Sequence, residues 1–220
     1  DISRFLRLHY GTREGDRKRY EQFDELFTEY EDVWIKENLA EKLYVELVTK
    51  YVNIKATQKD LHKKAKEYYQ QLAPALKKHD SYRLHFMAYL INVLIHVSVN
   101  DYKKTIQVCE KAIRFFDEKN YPASVPIQIF LHQELIAHTQ LRQFTQGEQV
   151  AEACLKYIDV GSFNWFKHQE LYFFLSMHTQ EYQKAYKVFT QTVSHRRYQF
   201  LPPTLKETWS IYEAYLQFLE

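Results

Sequence analysis

Glycine and proline are scarce in this chain, which has 4 glycines and 5 prolines among 220 residues. Sheet-rich folds need many tight turns, and these two residues form a large share of them. The shortage therefore excludes a β-sandwich or a doubly wound sheet. Apolar residues instead recur at spacings of three and four, as in Leu39, Leu43 and Leu47, which is typical of amphipathic helices. The sequence predicts an all-α protein.

Cysteine, long apolar runs and excess charge are lacking as well. Two cysteines, Cys109 and Cys154, are too few for a disulfide framework, which favours a reducing compartment, and we expect a cytoplasmic protein. No apolar run approaches the roughly 20 residues of a membrane span, so no membrane association is predicted. A formal net charge of +2 gives no general attraction to nucleic acid or anionic lipid. The chain begins without Met, and we expect it to be a fragment of a longer protein.

Short polar segments divide the apolar pattern into successive helices. Residues 1–31 are expected to hold N-terminal helices and a loop, with separate helices at about 17–31 and 33–54. Pro74 is expected to kink or end the helix near 58–79. Helices joined by short loops pack most simply as antiparallel hairpins. The predicted single domain, 1–220, has hairpins at 33–79, 82–119, 125–159 and 163–197 and a terminal helix at 204–220.

A repeat occurs where the second helix of three hairpins is predicted. The segments NDYKKTIQVCEKAI, RQFTQGEQVAEACL and QEYQKAYKVFTQTV begin at residues 100, 142 and 180. Each has an aromatic residue in third place and, three residues later, a small residue that lets a neighbouring helix approach closely. The aromatic and small residues are Tyr102 with Thr105, Phe144 with Gly147, and Tyr182 with Ala185. The aromatic residues lie 42 and 38 residues apart, and self-similarity at such a period indicates a helical solenoid.

The first of these segments resembles the second helix of a repeat in the tetratricopeptide-repeat superfamily. Tyr102, Thr105, Cys109, Ala112 and Ile113 lie at the motif's aromatic, small, large, small and aliphatic places. The resemblance extends over three hairpins, with a period of 38–42 rather than about 34 residues and without the W-x-x-L-G-x-x-Y pattern in the first helices. It implies an α-α superhelix of helix hairpins that holds a partner in a concave groove lined by the first helices.

The tetrapeptide His-Gln-Glu-Leu occurs twice, at 132–135 and at 168–171. His132 lies 12 residues before the aromatic residue of its own hairpin, whereas His168 lies 14 before. Two residues rotate a helix by about 200°, so we expect the two copies to face nearly opposite directions and to be a coincidence. The spacing also differs from the zinc-protease pattern of two histidines four apart. The sequence therefore predicts no metal and no other cofactor.

A polar stripe on the otherwise apolar helix 82–99 is the predicted binding site. Its four residues follow a 4-3-4 spacing that places them on one side of the helix. The resemblance implies that such side chains on first helices hydrogen-bond the backbone of a bound peptide. The alternative is that they are buried and bonded to a neighbouring helix. The predicted site comprises His85, Tyr89, Asn92 and His96, together with His132 and His168 on later first helices.

The function predicted from these features is a protein- or peptide-binding scaffold without enzymatic activity. No glycine-rich phosphate loop exists, both cysteines occupy core positions of the repeat, and the carboxylates lie on amphipathic helices, so no catalytic residue is predicted. One alternative is the sensor part of a peptide-responsive regulator. A second is an RNA-binding module that uses the basic helix 58–79. The lysines of that helix also suit an exposed face beside the acidic segment 21–46, which makes a nucleic-acid partner the less favoured interpretation.

Overall fold

The computed structural model describes residues 2–52 and 58–219, and it is helical throughout, with ten α-helices and no strand in these ranges. The all-α prediction is confirmed. The loop predicted between the helices 33–54 and 58–79 lies largely outside the described residues. No helix in the described ranges combines the length and the apolar composition that crossing a membrane requires.

The chain forms two compact units, Asp1–Val99 and Asn100–Glu220. The sequence prediction placed one domain over 1–220, and its hairpin 82–119 crosses the boundary between the units. The N-terminal unit contains α1 (Ile2–His9), α2 (Arg17–Val52), α3 (Gln58–Lys78) and α4 (Tyr82–Val97). The C-terminal unit contains α5 (Tyr102–Asp117), α6 (Ser124–Gln140), α7 (Phe144–Cys154), α8 (Phe163–His178), α9 (Tyr182–Val193) and α10 (Pro203–Leu219).

Helix α2 is a single helix of 36 residues, so the separate helices predicted at 17–31 and 33–54 are wrong. The segment contains neither glycine nor proline, and ion pairs one turn apart, such as Arg17 with Glu21 and Lys36 with Asp32, support it along its length. Helix α3 likewise does not end at Pro74 but continues to Lys78. Because proline has no N–H, the carbonyl of Gln70, four residues before Pro74, lacks its helical partner. Pro74 is exposed, so water can bond that carbonyl instead.

In the N-terminal unit, α2, α3 and α4 enclose a common apolar core. Opposite charges join the acidic and basic helices at one end of this core, as their sequences predicted. Asp32 on α2 accepts hydrogen bonds from Lys78 at 2.7 Å and from the ring of His79 at 2.9 Å. These two bonds lower the pKa of Asp32. Arg83 at the start of α4 pairs with Glu37 and Glu41.

In the C-terminal unit, the sequence repeat corresponds to a repeated local structure. Asn100, Arg142 and Gln180 stand at the first place of the three repeated segments, and each has a positive φ of 56–61°. A left-handed backbone conformation is unfavourable for residues other than glycine, although Asn tolerates it better than most. It recurs immediately before α5, α7 and α9. The small residues of the repeat (Thr105, Gly147 and Ala185) are all buried, as predicted.

Gly147 on α7 packs closely against both α6 and α8. A Cβ atom added there would lie 3.3 Å from Cδ1 of Leu175 on α8 and 3.6 Å from Cδ1 of Leu135 on α6. Leu135 and Leu175 form a small core together with Ala151. A larger side chain at Gly147 would therefore separate three helices at once.

We predict that Gly147→Leu lowers the free energy of unfolding by about 1–3 kcal/mol, because overpacking forces helices or rotamers to shift. Gly147→Ala should have a smaller effect, since the gain of about 1 kcal/mol in helix propensity offsets the tight contact. Urea unfolding measures the free energy of unfolding of both variants. The control is Gln146→Leu at the exposed position next to Gly147. Equal stability of the two Leu variants would contradict the close approach.

Candidate functional site

The first candidate site is an apolar groove between α6 and α8, the first helices of two successive hairpins in the C-terminal unit. It has a volume of about 340 Å³. Phe174 is 39% exposed there, and its ring packs edge-to-face against Tyr212 of α10, with the ring centroids 5.1 Å apart. The residues that line the groove are Leu135, Ile136, Thr139, Gln140, Leu171, Phe174 and His178. The groove offers a fixed aromatic surface to an apolar ligand group.

Polar groups lie at the end of the groove where α6 and α8 terminate. Thr139 donates its hydroxyl hydrogen to the carbonyl of Leu135 at 2.8 Å, and Nδ1 of His178 donates to the carbonyl of Phe174 at 2.9 Å. Both side chains are thereby held against their own helices. Gln140 is exposed, and its amide carries two donors and an acceptor. This end of the groove can therefore recognise a peptide backbone.

The second candidate site is a buried cluster of His132 on α6, Cys154 at the end of α7 and His168 on α8. One ligand atom from each residue lies within 4.8 Å of those of the other two. The imidazole rings stack with their centroids 5.6 Å apart. His132 is 8%, Cys154 0% and His168 1% exposed. The cluster thus joins three successive helices in the interior.

Hydrogen bonds hold the helices together close to this cluster. The thiol of Cys154 donates to the carbonyl of Gln128, one turn before His132, with 3.8 Å between sulfur and oxygen. The side chain of Gln128 accepts a hydrogen bond of 2.7 Å from Nδ2 of Asn164 on α8. It also donates to the carbonyl of Tyr157, which follows α7. A single glutamine therefore connects all three chain segments that carry the cluster.

The electrostatics of the cluster favour uncharged side chains. Burial lowers the pKa of His132 and of His168 to about 4, and the neighbouring His168 contributes to the shift of His132. Burial also raises the pKa of the Cys154 thiol to about 12. Two buried nitrogens, Nε2 of His132 and Nδ1 of His168, have no hydrogen-bond partner. Buried polar atoms without partners are uncommon in folded proteins.

The two histidines of the repeated His-Gln-Glu-Leu segments meet in the structure, which the sequence did not predict. The rotation of about 200° between the two copies predicted that they face nearly opposite directions. Because α6 and α8 are packing neighbours, side chains that point in opposite directions meet between them. The glutamate of the first copy, Glu134, lies instead in a cavity with Glu110 and Ile113 of α5. Burial raises the pKa of the Glu134 carboxyl to about 7, and the nearby carboxylate of Glu110 adds to this shift.

Cys154 is the member of the cluster that sequence reasoning did not connect with the histidines. The repeat pattern placed it at a core position, and its burial is confirmed. A single cysteine 22 residues after one histidine and 14 before the other has no recognisable ligand spacing. The packing of three helices, rather than any local motif, brings it to the pair.

The predicted stripe His85, Tyr89, Asn92 and His96 lies on α4 in the N-terminal unit, whereas His132 and His168 belong to the C-terminal unit. All four side chains are partly exposed. A ring nitrogen of His85 donates to the carbonyl of His79 at 3.1 Å. His85 and Tyr89 also line a small cavity of about 130 Å³ together with Tyr69, Leu76 and Ala88. These two residues therefore face the neighbouring helix α3.

We predict that Tyr89→Ala lowers the free energy of unfolding by about 1–3 kcal/mol, less than for a fully buried aromatic residue. Burial raises the pKa of Tyr89, which is consistent with a ring packed on α3. Tyr89→Phe should be close to neutral, and Asn92→Ala should cost little. Urea unfolding of the three variants provides the measurement. Wild-type stability of Tyr89→Ala, with loss of peptide binding, would instead support the groove interpretation of the stripe.

Comparison with known proteins gives no family assignment: no protein-family model, curated protein or solved structure matches this chain. A functional interpretation rests on the geometry of the two sites.

Proposed function

We propose that this chain is a non-enzymatic protein- or peptide-binding scaffold of the tetratricopeptide-repeat type, built as a superhelix and acting in the cytoplasm. The observation that carries the proposal is the apolar groove between α6 and α8, with Phe174 exposed beside it. In the resembled superfamily the first helices of the hairpins line the binding groove, and α6 and α8 are such helices. The recurring left-handed turns before α5, α7 and α9 support the repeat architecture.

The size of the groove limits its ligand. About 340 Å³ is near the lower end of the range for ligand pockets. It accommodates one or two apolar side chains rather than a large cofactor. An amphipathic helix or an extended peptide fits this description, because either can insert an anchor residue while the rest of its length runs along the surface. Leu171 and Phe174 would contact the anchor, and Gln140 would bond the peptide backbone.

The basic helix α3 fits a structural role better than RNA binding. Lys78 bonds Asp32 of α2 at 2.7 Å. Lys64 pairs with Glu67 at 3.3 Å and lies 5.0 Å from the centre of the Tyr68 ring. Two cations of the lysine run are therefore held by groups of the same unit. A phosphate backbone would have to compete with these partners.

A peptide-display selection against the full 220-residue chain tests the proposal. We expect the selected peptides to share an apolar anchor, and Phe174→Ala to weaken their binding by about tenfold or more, which corresponds to about 1.4 kcal/mol. Affinities are measured by fluorescence anisotropy with synthetic peptides. Thermal melts establish that the variant remains folded.

The matched control for this experiment is Phe200→Ala, which removes another exposed phenylalanine of the C-terminal unit, one that does not line the groove. Its affinity for the same peptides should equal that of the wild type. Equal losses in both variants, or selected peptides without an apolar anchor, would refute the groove as the binding site. Peptides that bind only at low salt would favour the basic helix instead.

A further inference from the structure

The cluster of His132, Cys154 and His168 has the composition of a metal site. Imidazole nitrogen and thiolate sulfur are the ligands that zinc and copper(I) prefer, whereas Mg²⁺ and Ca²⁺ require oxygen ligands. Each side chain offers one ligand atom, and the three atoms lie within 4.8 Å of one another. They come from three different helices, so the fold and not a local motif creates the set.

The two unpartnered nitrogens are an independent observation that points to a ligand. Nε2 of His132 and Nδ1 of His168 are buried without a hydrogen-bond partner, and both residues are more than nine-tenths buried. Leaving a polar group unsatisfied in the interior is unfavourable. A metal ion between the helices would give a partner to a ring nitrogen of each histidine at the same time.

We propose that His132, Cys154 and His168 together bind one borderline or soft metal ion, Zn²⁺ or Cu⁺. This inference does not depend on the proposed peptide-binding function. Each histidine binds the metal through a nitrogen of the neutral imidazole. Cys154 coordinates as the thiolate and releases its proton to the solvent, so metal binding is coupled to the loss of one proton.

The geometry requires only a small local contraction. With metal–nitrogen bonds of about 2.0–2.1 Å and metal–sulfur bonds of about 2.3 Å, the ligand atoms of a tetrahedral site are about 3.3–3.7 Å apart. The ligand atoms lie within 4.8 Å of one another, so binding draws them together by at most about 1–1.5 Å. Zn²⁺ with these three ligands leaves a net charge of +1, whereas Cu⁺ gives a neutral site. The buried surroundings therefore make Cu⁺ a genuine competitor of Zn²⁺.

The test uses the reduced full-length chain after removal of metals with a chelator. Zn²⁺ and Cu⁺ are added in separate experiments, excess metal is removed by desalting, and bound metal is measured by elemental analysis. We expect one equivalent of at least one of the two ions, and the comparison identifies which. At a free metal concentration 100-fold above Kd, Tm should rise by about 5–10 °C. Mg²⁺ and Ca²⁺ should have no such effect.

The chain supplies a matched control, because Cys109 is the other buried free cysteine of the C-terminal unit. Cys154→Ala should weaken metal binding by more than 100-fold, since loss of an outer supporting partner alone costs about 10- to 100-fold. Cys109→Ala makes the same chemical change outside the cluster, and this variant should still bind one equivalent of metal. Circular dichroism without metal establishes that both variants are folded.

A cobalt experiment keeps the test decisive if Cys154→Ala does not fold. Co²⁺ bound to a thiolate gives a charge-transfer absorption in the near ultraviolet, and Cys109→Ala leaves Cys154 as the only cysteine. The band should therefore persist in Cys109→Ala. Binding of neither Zn²⁺ nor Cu⁺ to the wild type would overturn the proposal. Equal metal binding by the two cysteine variants, or a cobalt band lost with Cys109, would overturn it as well.

Discussion

The close packing of α7 between α6 and α8 is the constraint on which the rest of the C-terminal unit depends. A helix hairpin cannot bury its apolar face alone, so its helices pack against their neighbours. Gly147 allows this approach, because even one added methyl group there would lie 3.3 Å from Leu175. The packing brings the first helices α6 and α8 into contact. That contact forms the groove beside Phe174 and also places His132 against His168.

Burying two imidazoles side by side reduces stability unless another interaction compensates. Each unpartnered nitrogen costs about 1–3 kcal/mol when its hydrogen bond to water is not replaced. An apolar pair of similar volume would fill the same space without this penalty. Cys154 next to the pair places a third ligand atom within 4.8 Å of those of the two histidines. The combination is therefore better explained by a shared ligand than by packing.

The sequence predicted the all-α class and the positions of most helices, because both depend on local patterns. Aromatic and small residues at repeated spacing identified the second helices, and Gly147 was correctly assigned to close packing. Two kinds of feature were missed. The continuity of α2 was missed because a short polar segment, here Glu31 and Asp32, does not interrupt a helix when it contains neither glycine nor proline. The meeting of His132, Cys154 and His168 was missed because it depends on the relative rotation of neighbouring helices, which spacing within one hairpin does not reveal.

The groove and the histidine cluster share the same two helices at successive turns. Leu135 and Leu171, which line the groove, each follow a cluster histidine by three residues, which is less than one turn. A metal ion between the histidines would fix the separation of α6 and α8 where the groove begins. It would thereby reduce the conformational freedom that a peptide must otherwise remove on binding. Because coupling of two ligands is reciprocal, a peptide in the groove would strengthen metal binding by the same factor. The two sites are thus physically parts of one helix interface, although each proposal is tested separately.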